Sequence, residues 1–503
     1  MLSKSEIRDL LNRAPKFEDM TSSLRAWARQ PGAISREAEK VVAIARKFNE
    51  EVTRVHDLKL DARIQQDPEH LPWEIVEEAN MRGFYTMFIP RVFGGKGYSL
   101  SCAGLFLEEI ASACLATANI IGVHYLGFTI LTASWNIKMI DRISREVAEG
   151  EKQGRPCLIS LAITEPEAGT DAQNIELMDR GKLGCGAEKK NGGYLVNGTK
   201  IFISMGHVST WHIVNAYTDL KKGSENTVVL AVKKGMPGFS TGGREHKMGQ
   251  KGCPASELVF RDCMVPKEQV CFDSTDGQKQ ARGVKGTNAQ MLAYIWGASR
   301  MGVASFGTGA ARGAFETARE FAGRTEAGGK RLINQEWCQS MLAEMYKNAA
   351  ASRALYMEAT YANGLYGLWK YLNLKPVYYL NRILPSALFD AVGPWICRRR
   401  AVTRIARKVA FDRQTDSEID RVDGWASLAK FAATDAGVKN CHMALEIMGQ
   451  AGLRHDRGAE KMLRDAKLLQ IYEGTNQINR INLFKRLVKP DDPEIEVFSQ
   501  QAG

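Results

Sequence analysis

The 503-residue chain has no Cys-x-x-Cys pair, and its ten cysteines, at 102, 114, 157, 185, 253, 263, 271, 338, 397 and 441, do not cluster with its eight histidines. That spacing argues against a zinc site or a disulfide scaffold and favours free, buried thiols in a reducing compartment; no metal is expected. The opening MLSKSEIRDLLNRAPKFED lacks the apolar core of an export signal, so a cytoplasmic location is expected, or the mitochondrial matrix in a eukaryote. No long stretch is uniformly apolar: Ser112 to Ser134 carries Asn119 and His124 and follows Glu108 and Glu109, which reads as a buried helix rather than a membrane span. Gly307, Gly309 and Gly313 form G-x-G-x-x-x-G without a preceding strand, which rejects a Rossmann nucleotide site.

What is present is a change of periodicity. From Ile34 to about Trp135 apolar residues recur at three- and four-residue spacing, as in EAEKVVAIARKFNEEV, and predict helices. From Arg155 the segments PCLISLAITE, GGYLVNGTKIFIS, WHIVNAYTD, NTVVLAVKK and ELVFRDCMVP alternate or run β-branched between Gly, Asn and Asp turns, and predict strands. After Gly286 the helical spacing returns. The expected class is α+β, with an N-terminal extension at 1–33, a helical domain at 34–155, a β-barrel-like domain at 156–275 and a C-terminal helical bundle at 276–503. With 44% hydrophobic residues, a chain of this length buries a large core unaided.

Residues from about 364 to 419 stand out as an insertion: LYGLWKYLNLKPVYYLNRILPSALFDAVGPWI is aromatic and Pro-broken, and CRRRAVTRIARKVAFDR is strongly basic. The plain reading is two extra helices with a solvated basic face; the other is peripheral contact with an anionic membrane or an acidic partner. The formal net charge of +11 favours anionic partners generally, but no recognition motif accompanies the basic run, and nucleic acid is not expected as a partner.

Two motifs carry the chemistry. LAITEPEAGTDA (161–172) with NGTKIFIS (197–204), and KMLRDAKLLQIYEGTNQINR (461–480), resemble the flavin strands and the C-terminal catalytic signature of the FAD-dependent acyl-CoA dehydrogenases. Alone, T-E-P-x-A-G-T is a strand entering a Pro/Gly turn. The resemblance spans most of 34–490 in the right order and implies FAD as cofactor, an acyl-CoA substrate, an electron-transfer flavoprotein as acceptor, and a homodimer or homotetramer.

By that resemblance, Leu161, Ile163 and Thr164 touch the isoalloxazine, Gly169 and Thr170 lie by the pyrophosphate with Thr170 also near CoA, and Phe202 and Ser204 complete the second strand. Phe202 stands where tryptophan is common, keeping an aromatic face without the indole donor. Arg324 and Gln335 correspond to residues reaching a neighbouring subunit's FAD, although Ala327 replaces a usual aromatic, and Gly449 to a site for the adenosine half, although GQAG replaces GGxG. Arg300 and Gly474 correspond to positions near the thioester, and Thr475 and Gln477 to FAD contacts.

Glu473, in Y-E-G-T, corresponds to the base that removes the α proton while hydride leaves the β carbon for flavin N5, and its N–H to a donor for the thioester oxygen. Desolvation should raise its pKa. The residue before Arg300 is Ser299, so no competing base stands where some members carry one. Ala118 and Gly122 lie on the expected acyl-pocket helix and point to room for a medium or long chain, or an alicyclic or aromatic group. Other readings of the same fold are an oxidase, a lyase-like relative or a non-catalytic scaffold.

Overall fold

The computed structural model describes residues 31–276, 281–492 and 494–498, together with Ser3, Ser5, Ser22, Ser23, Ala26 and Arg29. Most of the expected extension at 1–33 lies outside the described residues. The first helices are α1 (Ile34–Phe48), α2 (Arg54–Gln66), α3 (Trp73–Met81), α4 (Ala103–Ala113), α5 (Leu115–Ala133) and α6 (Ile137–Lys152). By length and composition α5 could cross a membrane, but it is buried on nearly every side. A Cβ on its Gly127 would meet the carbonyl oxygen of Ile159 at 2.6 Å, so helix and sheet approach closely there.

The sheet comprises β1 (Ile159–Ala162), β2 (Gly186–Lys190), β3 (Gly193–Ser204), β4 (Trp211–Tyr217), β5 (Thr227–Lys233), β6 (Phe239–Arg244), β7 (Ala255–Pro266) and β8 (Val270–Asp273). Its order is β6-β7-β3-β2-β4-β5-β8, with β1 pairing parallel to β4. The period-2 alternation decides which core each residue joins. On β4 and β5, Trp211, Ile213, Tyr217, Val229 and Ala231 pack into the main core shared with the helices. Val214, Ala216, Val228, Leu230 and Val232 instead share a second core with Leu258, Phe260 and Val265 of β7. The apolar run TVVLAV is therefore buried on both faces, as a central strand requires.

The helical body follows as α7 (Gly283–Arg324), α8 (Glu336–Tyr366), α9 (Lys375–Ile383), α10 (Ser386–Cys397), α11 (Arg400–Arg413), α12 (Asp416–Met448), α13 (Ala459–Leu469) and α14 (Asn476–Leu483). The G-x-G-x-x-x-G of α7 is a packing surface. A Cβ at Gly307 would lie 2.6 Å from the backbone of Ala433 on α12, and one at Gly313 would lie 2.2 Å from the Ser112 carbonyl oxygen on α4. A capping box of Thr415 and Glu418 starts α12.

The insertion corrects one expectation: it holds three helices, α9 to α11, rather than two. Nor are all its cations solvated. Arg382 stacks on Tyr378 at 3.4 Å and pairs with Glu37, and Arg407 donates to the carbonyls of Ser134 and Cys271.

A buried ion network ties α4, α7 and α8 together. Glu108 is fully buried and accepts from Arg312 at 3.0 Å, from Arg353 at 2.9 Å and from the Tyr356 hydroxyl. Removing one partner of such a network strands the others without compensation. Glu108→Ala is expected to destabilise the protein by about 3–5 kcal/mol, measured as a lower denaturant midpoint of the purified chain.

Candidate active site

A cavity of about 530 Å³ opens between the sheet, helices α4, α5 and α7, and the turn that precedes α14. It gathers Leu161, Ile163, Thr164, Gly169, Thr170, Phe202 and Ser204 from the first motif with Glu473, Gly474 and Thr475 from the second. Residues separated by some three hundred positions thus meet in one space.

The flavin-motif wall is held by a buried ion pair that sequence reasoning missed. Lys200, fully buried, donates to Glu165 Oε1 at 2.6 Å and to the carbonyl of Ile163 at 2.9 Å. The Ile201 N–H donates to the Thr164 carbonyl at 2.9 Å. One residue further on, the β3–β7 register slips between Lys200 and Ile203, and Phe202 takes φ +58°. The bulge turns an aromatic side chain, 56% exposed, toward the cavity instead of the pleat.

Glu473 forms the opposing wall and also has a left-handed backbone, φ +57°, followed by Gly474 at +76°. Its Oε2 accepts the Ser299 hydroxyl at 2.6 Å. Burial pushes its carboxyl pKa above the ordinary value, with Ser299, Arg300 and Lys430 pulling the other way. Among the described residues it is the only charged side chain lining the cavity. Ser299, noted in the sequence only as a non-base, is therefore in direct contact with the carboxylate.

Arg300 is buried, not solvated, and its guanidinium points away from the cavity. Its Nη1 donates to Asp423 at 2.8 Å and Ser427 at 3.0 Å, and its Nε faces the Glu473 carbonyl at 3.4 Å. Within the protein, Arg300 therefore holds the loop that carries Glu473. Lys430, another residue missed in the sequence, donates to the Gly474 carbonyl at 2.7 Å and to Asn476 at 2.8 Å. Burial, then Arg300 nearby, lowers its pKa to about 7. Thr475 both lines the cavity and caps α14 through the Ile478 N–H.

Four expected cofactor residues do not join this cavity within one chain. Gln477 is exposed on the first turn of α14. Arg324 is 79% exposed and pairs with Glu320. Gln335 donates to the Ala327 carbonyl and accepts from Trp337. Gly449, at φ +55°, ends α12. The room expected over Gly122 is also filled: a Cβ there would lie 2.6 Å from Phe306 Cζ, and Ala118 is fully buried outside the lining. Leu368, Trp369, Tyr371 and Leu372 of the insertion also line the cavity.

A cleft with hydroxyls, apolar faces and an aromatic ring at flavin-motif positions on one wall, and a desolvated carboxylate on the other, defines a flavoprotein oxidoreductase. The acyl-CoA dehydrogenase N-terminal domain matches residues 35–151, the middle domain 160–263, and the C-terminal domain 285–364 and 391–488. The chain belongs to the acyl-CoA dehydrogenase family, an α+β fold of helical, sheet and helical domains, with FAD as its cofactor. Its reaction type is oxidoreduction at a CH–CH bond. The C-terminal match leaves out 365–390, which includes the four insertion residues of the cavity wall.

The cyclohex-1-ene-1-carbonyl-CoA dehydrogenase of Syntrophus aciditrophicus (strain SB) is 29% identical over 81% of this chain and 80% of its own. The acyl-CoA dehydrogenase of Bacillus subtilis (strain 168) is 28% identical over 85% and 93%. The butyryl-CoA dehydrogenase structure from Megasphaera elsdenii shares the fold at a TM-score of 0.67, with 23% identity over 90% of this chain and 98% of that one.

The residues present fit FAD. A Cβ added at Gly169 or at Gly302 meets no protein atom within 4 Å, and both glycines line the cavity, so the space beside them is left for a ligand. Gly169→Ala should fold normally, since no protein atom lies within 4 Å of the new Cβ, yet weaken FAD binding by about 1–3 kcal/mol of steric conflict. Flavin absorbance of the purified variant, beside an unchanged circular dichroism spectrum, checks this.

Proposed function

We propose that the protein catalyses α,β-dehydrogenation of an acyl-CoA thioester to the enoyl-CoA, with Glu473 as the base. The observation that carries this reading is the carboxylate of Glu473 facing the flavin-motif wall across an otherwise uncharged cavity. The Glu473 carboxylate takes the α proton, and the β carbon releases its hydrogen as hydride, leaving a carbon–carbon double bond. Bound FAD supplies the two-electron acceptor for that hydride. A raised pKa makes the carboxylate a stronger base than one in water, and the Ser299 hydroxyl keeps it oriented. The Glu473 N–H is the thioester-oxygen donor in this reading.

The lining supports a neutral, apolar acyl group of medium or longer chain, or an alicyclic or aromatic one. A second carboxylate on the acyl group would be buried beside Glu473 with no cation in the lining to receive it. An electron-transfer flavoprotein is the acceptor of this reading, and acyl-CoA degradation the process. A homodimer or homotetramer, in which Arg324 and Gln335 serve a second copy's FAD, accounts for their position outside the cavity. A reducing compartment, the cytoplasm or the mitochondrial matrix, is supported by ten cysteines that are all free and buried.

Glu473→Gln is expected to retain FAD and to lower the rate by about 10²–10⁴-fold. Anaerobic titration with straight-chain, branched, alicyclic and aromatic acyl-CoAs reads this directly: flavin absorbance falls in the wild type and persists in the variant. Flavin untouched by the whole panel in the wild type would sink the assignment.

Ser299→Ala removes a hydrogen bond that favours the charged carboxylate. The carboxyl pKa should rise further, so the rising limb of the kcat/KM against pH profile moves to higher pH. An unmoved limb would show that Ser299 does not tune the base.

A further inference from the structure

The insertion leaves apolar surface uncovered in a regular way. On α9, Tyr379, Leu380 and Ile383 are exposed; on α10, Leu388, Val392, Trp395 and Ile396; on α11, Ile405. The α9 residues are spaced i, i+1, i+4 and those of α10 i, i+4, i+7, i+8, so each set forms one stripe of its helix. The opposite stripe of α10, with Gly393 and Cys397, is buried against the body. Exposure is 76% at Ile383, 64% at Trp395 and 63% at Ile405, far beyond the scattered single apolar residues of an ordinary surface.

Charge surrounds these stripes with one sign. Arg398, Arg399 and Arg400 join α10 to α11, and Arg404 and Lys408 share the outward face of α11 with Ile405; all five are exposed. Arg399 stacks over the ring of Trp395 at 4.5 Å, so cation and aromatic anchor act as one unit. Over 375–413 the acidic residues are only Asp390 and Asp412. A second copy of this chain packed face to face would bring these arginines against each other. An anionic, apolar-centred surface satisfies both the stripes and the charges.

We infer that α9 to α11 seat the protein on an anionic phospholipid surface, with the outward apolar stripes entering the headgroup boundary and the arginines on lipid phosphates. The same insertion lines the cavity through Trp369 and Leu372, so seating and the cavity wall belong to one segment. The inference goes beyond the proposed reaction and does not depend on it.

The test is flotation of the full-length FAD-bound protein with vesicles of phosphatidylcholine alone and of phosphatidylcholine mixed with phosphatidylglycerol. Wild type should float with the mixed vesicles only. A variant with Trp395→Ser, Ile396→Ser and Ile405→Ser should remain in solution, and one with Arg399→Gln, Arg400→Gln and Arg404→Gln should partition about a hundredfold more weakly. Both variants change only exposed side chains, and retained flavin and an unchanged thermal midpoint verify their folding. Wild type that fails to float, or floats equally with both vesicle types, overturns the inference. So does sedimentation without vesicles in which the serine variant forms a smaller assembly while no flotation is seen, since a second copy would then cover the face.

Discussion

Two consecutive residues at positive φ, Glu473 and Gly474, impose the constraint on which the site depends. A non-glycine residue held in the left-handed region costs on the order of 1–3 kcal/mol and persists only where its surroundings fix it. Here the carbonyls of the turn face donors from two long helices, Arg300 of α7 and Lys430 of α12, and from Asn479 of α14. Those donors converge because α7 and α12 approach closely, which requires small residues: the Cβ positions of Gly307 and Gly437 lie 2.6 Å and 2.9 Å from the facing backbone. Helix packing through glycine thus becomes the placement of a carboxylate.

The facing wall repeats the device on a different fold. Phe202 is also left-handed, and the buried amine of Lys200 donates to the Ile163 carbonyl much as that of Lys430 donates to Gly474. A buried lysine is a poor source of net stability, because desolvation offsets most of what the pairing gains. Its value is directional. A buried amine with fixed partners pins a backbone carbonyl beside a functional residue, and each wall of the cleft is pinned from behind in this way.

The helix, strand, helix order was legible from periodicity alone, because each β segment alternates or runs apolar between turn residues. The wall residues Leu161 to Thr170 and the Glu473 turn were legible only through motif resemblance. Lys200, Lys430 and Ser299 were not legible, since a lysine or serine in a strand or helix pattern says nothing of the partner folding brings to it. For Arg300 the sequence shows its neighbour Ser299 but not its partner Asp423, more than a hundred positions away. Gly122 misled for a related reason. A missing side chain reads as space, yet Phe306 from another helix occupies it.

That last substitution bears on what the cavity admits. Beside Phe306 over Gly122, the lining includes Leu368, Trp369, Tyr371 and Leu372, residues outside the stretches that match the family's C-terminal domain. Residues within the family matches therefore bring Glu473 and the flavin-motif wall together, while residues 365–390, outside those matches, add an aromatic and aliphatic part of the lining. Aromatic and aliphatic groups there favour burial of apolar surface, at about 25 cal/mol per Å², and give no partner to a charge. In the reading proposed above, selection among acyl groups rests on how they fill the apolar space lined by Trp369 and its neighbours, while Glu473 meets the α carbon of each.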